Sequence, residues 1–173
     1  MPRSKGFGAD PPLPIIDTHQ HLWDLSRFRL PWLEHSPKLN RSFRTSDYLE
    51  ATRGLNVVKA IYMEVDVDPA QQVQEAEYLI DLCRGKKTPT VAAVISGRPA
   101  SDQFEDYLAR FAGIPEIKGI RQVLHGSETP AGFCTSQAFV RGVRLLGGAG
   151  LTFDLCVRES AQVKSVTVIL GER

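Results

Sequence analysis

Cysteine is scarce in this 173-residue chain, which has only Cys83, Cys134 and Cys156. An odd number of widely separated cysteines disfavours a disulfide framework and favours reduced, mostly buried thiols in a cytoplasmic protein. Long apolar runs are also missing, because none approaches the ~20 residues that a membrane-spanning helix needs. The net charge is only +1, so there is no electrostatic case for binding nucleic acid or an acidic membrane.

The N-terminal segment 1–12 carries basic residues but no apolar core, which predicts a disordered lead and not a signal peptide. After it, β-prone apolar runs alternate with segments of helical periodicity. Strands that alternate with amphipathic helices pair in parallel through right-handed crossovers. The sequence therefore predicts an α/β fold with strands near residues 13–18, 57–65, 90–95, 117–124 and 151–157.

Capping residues predict where the helices begin. Asp68 precedes Pro69, and Gln71 completes a capping box with it, so a helix is expected to start there. Ser101 and Ser136 are predicted to open the next two helices. A short helix before the second strand is predicted to be capped by Thr45 or Ser46.

Two histidines separated by one residue follow the first predicted strand. Side chains two residues apart in an extended backbone point the same way, so His19 and His21 are expected to share one face. Two neighbouring imidazoles are suited to a divalent cation, and we predict them as metal ligands. Asp17 shares their face or its edge and is predicted to orient an imidazole from outside the ligand shell.

Three stretches resemble the amidohydrolase superfamily, in the branch of sugar-acid lactonases related to L-fuconolactonase and L-rhamnonolactonase. They are Asp17-Thr-His-Gln-His-Leu-Trp-Asp24, Lys118-Gly-Ile-Arg-Gln-Val-Leu-His125, and a set within residues 132–158 that ends Phe153-Asp-Leu-Cys-Val-Arg158. The resemblance implies a partial (β/α)₈ TIM barrel made of the first five β/α units, spanning residues 13–160. It also implies a hydrolase whose small-molecule partner is a sugar-acid lactone.

The resemblance further implies a divalent metal, most often zinc, held by His19 and His21. A metal of this kind activates water and polarises a carbonyl. Some lactonases of this branch hold the metal weakly or do without it, so a weak or absent metal is the alternative. A catalytic zinc site normally has three protein ligands, and the resemblance places the others beyond residue 158.

Further site residues are expected at the carboxyl ends of the predicted strands. We predict Arg121 and His125 as catalytic groups; the alternatives are an ion pair of Arg121 with Glu64 or Asp154, and a loop cap at His125. The predicted substrate contacts comprise Trp23, Glu64, Arg121, Asp154 and Arg158. For Asp154 and Arg158, an ion pair across the strand is the alternative.

The last segment, 161–173, departs from the family pattern. Only four residues separate Arg158 from Val163, whereas a parallel crossover needs about a dozen. We therefore expect an atypical tail, as from splicing, a frameshift or a gene-model error, with a short antiparallel end as the alternative. Negligible lactonase activity is expected of such a chain by itself. The alternative to a lactonase is therefore a catalytically inactive, truncated form of that family. Exposed sheet edges are expected to permit self-association.

Overall fold

The computed structural model of this chain describes residues 12–126 and 128–158. Its centre is a five-stranded sheet in which every neighbouring pair is parallel and the spatial order follows the chain order. The predicted α/β half-barrel is thus confirmed. The strands are β1 (Ile15–Gln20), β2 (Val57–Met63), β3 (Thr90–Ser96), β4 (Ile117–Val123) and β5 (Thr152–Cys156).

Four α-helices connect the strands: α1 (Thr45–Ala51), α2 (Gln72–Arg84), α3 (Phe104–Phe111) and α4 (Gln137–Gly148). Except for Pro12, the predicted lead lies outside the described residues, and so does the predicted tail at 161–173. None of the described helices has the length and apolar character needed to cross a membrane.

The helix starts follow local capping rules, with three corrections. Ser136 caps α4 as predicted and accepts a hydrogen bond from the Phe139 N–H at 3.3 Å. The predicted cap at Thr45 or Ser46 is wrong, because the N-cap of α1 is Arg44, whose N–H donates to the Asp47 carboxylate. Ser101 holds only a turn before α3, which begins three residues later.

Asp68 caps a 3₁₀ turn, Pro69–Gln71, and α2 continues from that turn. Its carboxylate accepts the Ala70 N–H at 3.0 Å, as expected for a cap. The predicted capping box is wrong, because the Gln71 side chain reaches the backbone of the β1–α1 loop instead. The 3₁₀ turn therefore ties that loop to the start of α2.

The helices cover one face of the sheet and bury the main core there. Ile95 and Ile120 project into this core, where they meet aromatic residues of α3 such as Tyr107 and Phe111. Side chains alternate between the two faces of a strand, so Arg121 projects to the opposite, concave face. Ser96, Arg121 and Asp154 lie opposite one another on β3, β4 and β5.

The outer strands of the described sheet are β1 and β5. Several of their apolar side chains are exposed, among them Ile15, Ile16 and Leu155. Unpaired strand edges with apolar side chains favour association between chains. Self-association through these edges stays a prediction.

Helix α4 packs so closely on the β3–α3 loop that a methyl group at Gly142 would lie 2.0 Å from the Pro99 carbonyl oxygen. We expect Gly142→Ala to lower the free energy of unfolding by roughly 1–3 kcal/mol, since backbone must shift to relieve the overlap. Gly147→Ala, on the same helix with open space around its Cβ, is the control and should raise stability by up to about 1 kcal/mol. Urea unfolding measures both; equal stability of the two variants would contradict this packing.

Candidate functional site

His19 and His21 converge at the end of β1. Their Nε2 atoms lie 3.1 Å apart, and the two rings meet edge to face. Two nitrogens that each lie ~2.05 Å from a tetrahedral zinc ion are about 3.3 Å apart. The strand geometry expected from the sequence therefore brings two nitrogen atoms to the spacing of metal ligands.

The carbonyl of Met63, at the end of β2, orients the His21 ring. His21 Nδ1 lies 2.9 Å from this oxygen, which can only accept, so Nδ1 carries the proton and Nε2 keeps its lone pair. Burial lowers the pKa of His21 to about 4, with the charge of Arg121 acting in the same direction. A histidine that binds a metal is usually a neutral imidazole: one ring nitrogen binds the ion, and the other donates its N–H to a carbonyl or carboxylate.

Asp17 was predicted to orient an imidazole, but its carboxylate contacts other groups. Oδ1 accepts the His19 backbone N–H at 3.0 Å, and Oδ2 accepts the Tyr48 hydroxyl at 2.9 Å. Asp17 therefore fixes the backbone that carries His19 and links it to α1. The ring of His21 is held by Met63 instead.

The positions and the chemistry of these two histidines are suited to a zinc ion. Both offer a nitrogen at suitable spacing, and the fixed tautomer of His21 leaves its ligand atom unprotonated. Within residues 12–126 and 128–158, however, no group of three His, Cys, Asp or Glu side chains could hold a metal. The described residues thus offer a pair of imidazole nitrogens, whereas a catalytic zinc site normally has three protein ligands.

Arg121 forms a buried ion pair with Glu64, one of the alternatives that the sequence left open. Its Nε lies 2.6 Å from Glu64 Oε1, and its Nη2 donates to the Glu64 carbonyl at 2.8 Å. The Asp66 N–H donates to the other carboxylate oxygen at 2.6 Å. Burial raises the pKa of Glu64, and the Arg121 and Asp66 contacts act against that rise.

The β1–α1 loop carries two indoles with different surroundings. Trp23 was predicted to contact substrate, but its ring is buried between Trp32 and Phe43, and its N–H donates to the Arg41 carbonyl at 2.6 Å. Trp32 is only half-buried and borders a cavity. The sequence alone did not show that Trp23 is buried while Trp32 is half-buried. Pro31, which begins a 3₁₀ turn containing Trp32, was the one local signal that the two indoles have different surroundings.

The remaining predicted residues lie around the same end of the sheet. Asp154 is on β5 opposite Arg121, and His125 follows β4 in a half-buried position. Arg158 lies just beyond β5 and is exposed. The structure thus brings Glu64 and Arg121 into contact and places Arg121 near the histidine pair, while the roles of His125, Asp154 and Arg158 stay predictions.

Comparisons with known proteins identify a partial sequence relative and solved structures of similar fold. No family model matches the sequence. The uncharacterized protein y4mH of Sinorhizobium fredii is 34% identical over 74 residues, which are 38% of this chain and 25% of that protein. Amidohydrolase 2 from Bifidobacterium longum subsp. infantis is 26% identical with a TM-score of 0.61, covering 90% of this chain and 57% of that one.

Two further solved structures share the fold at lower sequence identity. A zinc-bound amidohydrolase from Burkholderia multivorans has a TM-score of 0.69 at 23% identity, over 88% of this chain and 52% of that one. A probable 2-pyrone-4,6-dicarboxylic acid hydrolase from Acinetobacter baumannii, solved with citric acid, has a TM-score of 0.65 at 10% identity, over 90% and 54%. The chain has the fold of an amidohydrolase half-barrel. It spans about half the length of these solved amidohydrolase structures.

Near the Glu64–Arg121 ion pair, α2 buries a second carboxyl group, Glu75. Its Oε1 lies 3.3 Å from both the Tyr62 hydroxyl and the Val65 N–H, and its Oε2 has no hydrogen-bond partner in the described chain. Burial raises the pKa of Glu75 to about 8, and the charge of Glu64 adds to the rise. The sequence carried one signal of this burial, since Glu75 lies one turn before the core residue Leu79 on α2.

The raised pKa of Glu75 predicts that stability falls as the pH rises from about 5 to about 8. In that range folded Glu75 keeps a proton that the unfolded chain, with a carboxyl pKa near 4.5, has lost. This stabilisation is complete below pH 4.5, where both the folded and the unfolded chain carry the proton, and it is lost once the pH has passed the folded pKa of about 8. Between these values the free energy of unfolding falls by up to about 1.4 kcal/mol per pH unit.

Urea unfolding at several pH values measures this slope. We expect Glu75→Gln to flatten it, whereas Glu77→Gln, an exposed position on the same helix, should leave it unchanged. Identical slopes for the wild type and Glu75→Gln would show that Glu75 does not keep its proton in the folded state.

Proposed function

We propose that this chain forms the first half of a metal-assisted hydrolytic site that acts on the lactone of a sugar acid. The observation that carries the proposal is the histidine pair, whose Nε2 atoms lie 3.1 Å apart at the carboxyl end of a parallel half-barrel. Barrel enzymes place their active sites at this end. The fold shared with amidohydrolase structures supports the assignment of hydrolase chemistry.

His19 and His21 would hold a divalent ion, with zinc as our first choice because it is bound in the Burkholderia multivorans structure. Such an ion supplies Lewis-acid activation of water and of the substrate carbonyl. Other residues of this chain position the two histidines for the ion. Met63 fixes the His21 tautomer, and Asp17 fixes the backbone of His19.

Arg121 is our candidate for binding the substrate carbonyl or a carboxylate. Glu64 takes up Nε and Nη2, which leaves Nη1 as the donor that we assign to the substrate. A guanidinium held by a buried carboxylate is preorganised, so little side-chain entropy is lost when a substrate binds. His125 is our candidate for donating a proton to the leaving alkoxide, and Asp154 and Arg158 for further substrate contacts.

Opening a sugar-acid lactone yields a carboxylate, a group that the guanidinium of Arg121 is suited to bind. The Acinetobacter baumannii hydrolase is named for a dicarboxylic acid substrate and was solved with citric acid. Its similarity to this chain concerns the fold, so the comparison supports binding of an acidic small molecule, such as the product of lactone opening, only in general terms. The sugar-acid lactone is our choice because the lactonase-like motifs surround Asp17, Arg121 and Asp154.

A second candidate function is ligand binding without turnover. It is favoured by the finding that the described residues provide no group of three metal ligands. A two-histidine site holds zinc weakly, and residues that act as a unit lose most of their rate when one is missing. In that case ligands from outside residues 12–158 would be needed for hydrolysis.

Zinc titration followed by calorimetry tests the metal assignment. We expect weak binding to the 173-residue chain, and loss of that binding in His19→Ala, His21→Ala and the double variant, because each removes one of two nitrogen ligands. His35→Ala removes an exposed histidine of a 3₁₀ turn and is the control. Unchanged zinc stoichiometry in the double variant would rule out this pair as the metal site.

Acid release from a panel of aldonolactones, measured with zinc against the spontaneous rate, tests the substrate class. We expect the chain to bind the corresponding aldonate, with NMR shifts at His19 and His21, but to accelerate hydrolysis negligibly. Acceleration that disappears in His19→Ala would establish that the chain is catalytic by itself. If aldonates neither bind nor arise faster than spontaneously, the lactone assignment is wrong.

A further inference from the structure

The end of β2 holds the chain that leaves β1 through two hydrogen bonds. The Met63 carbonyl accepts the His21 Nδ1 proton at 2.9 Å, and the Tyr62 hydroxyl donates to the Leu22 carbonyl at 2.8 Å. Tyr62 and Leu22 are both buried. The position of the chain at His21 therefore depends in part on where the Tyr62 hydroxyl directs its single proton.

Glu75 approaches the same hydroxyl from α2, on the helix-covered side of the sheet. Its Oε1 lies 3.3 Å from the Tyr62 oxygen and 3.3 Å from the Val65 nitrogen. A hydroxyl has one proton and a backbone carbonyl can only accept, so the shorter bond to Leu22 takes the proton of Tyr62. The contact between the Glu75 and Tyr62 oxygens is then attractive only when Glu75 supplies a proton. This geometry therefore requires a protonated Glu75.

The surroundings of Glu75 favour this neutral form. Burial, with the charges of Glu64 and Asp66 acting in the same direction, raises the pKa of Glu75 to about 8. Arg121 is bound to Glu64, and the Tyr107 phenol of α3 also interacts electrostatically with Glu75. Strand β3, on which α2 packs, contains no titratable side chain. The proton is therefore present at neutral pH and is lost at mildly alkaline pH.

Loss of this proton changes the hydrogen-bond partner of Tyr62. A hydrogen bond to a carboxylate is roughly twice as strong as one between neutral groups, so an ionised Glu75 competes with the Leu22 carbonyl for the Tyr62 proton. The carboxyl proton passes to solvent, while Tyr62 keeps its own proton and rotates its hydroxyl toward Glu75 Oε1. The bond from β2 to Leu22, the residue after His21, is thereby broken.

We propose that Glu75 is a positioning residue, whose proton keeps Tyr62 bonded to Leu22 and so fixes the end of β1 that carries the histidine pair. When Glu75 ionises, Leu22 loses this bond and the neighbouring His21 holds a metal less tightly. The effect on metal binding rests on the proposed function. The exchange of hydrogen bonds takes place in the metal-free chain and does not depend on it.

Carbonyl ¹³C NMR of the metal-free 173-residue chain tests this exchange between about pH 7 and about pH 10. We expect the Leu22 carbonyl signal to move upfield, as it does when a hydrogen bond is lost, with a midpoint near pH 8. Glu75→Gln cannot ionise and Tyr62→Phe lacks the hydroxyl, so each should abolish the movement. Glu77→Gln, an exposed position on α2, is the matched control and should leave it unchanged.

Zinc calorimetry at pH 7, where Glu75 keeps its proton, tests the consequence for the histidine pair. Glu75→Leu and Tyr62→Phe should each weaken zinc binding by about tenfold, a loss of the size seen when groups that orient metal ligands are removed. Glu75→Gln should retain most of the affinity, because its amide is neutral and can donate to the Tyr62 oxygen. Glu77→Gln should bind zinc like the wild type.

Two results would overturn the proposal. One is a Leu22 signal in the wild type that does not move, or that moves equally in Glu75→Gln. The other is wild-type zinc affinity in both Tyr62→Phe and Glu75→Leu. If the wild-type chain binds no zinc, the proposed function fails, and the Leu22 titration, which needs no metal, then decides by itself whether Glu75 positions the end of β1.

Discussion

The ion pair between Glu64 and Arg121 joins β2 to β4 across the end of β3, and the arrangement of this end of the sheet depends on it. Both side chains are largely buried, at 1% and 12% exposure. Burial of two charges costs free energy that their attraction returns only with good geometry and further hydrogen bonds. Here the Asp66 N–H and the Glu64 carbonyl provide them.

This carboxylate also shapes the chain that leaves β2. Asp66 adopts a left-handed backbone with φ of 52°, which is uncommon outside glycine and is held by the bond from its N–H to Glu64. The turn brings the Asp66 side chain to Arg98 on the next loop. Glu64 therefore positions Arg121 on the concave face and, through Asp66, part of the cavity wall that Asp66 and Arg98 form.

Local rules allowed much of the fold to be predicted from the sequence. The five strands, their parallel order and the cap at Ser136 follow from apolar runs, alternation with amphipathic helices and side-chain chemistry within a few residues. The errors concern choices between neighbouring local options. Arg44 caps α1 where Thr45 or Ser46 was expected, and the Gln71 side chain bonds a distant loop.

What the sequence determined by itself is the set of groups at the end of each strand, because period-two alternation places His19 with His21 and opposes Arg121 to Gln122. Only the tertiary structure decided what these groups contact. That Arg121 pairs with Glu64, that Met63 orients His21, and that Trp23 is buried while Trp32 borders a cavity depend on residues far apart in the chain. The register between strands and the path of the loops bring such residues together, and neither is encoded in a local pattern.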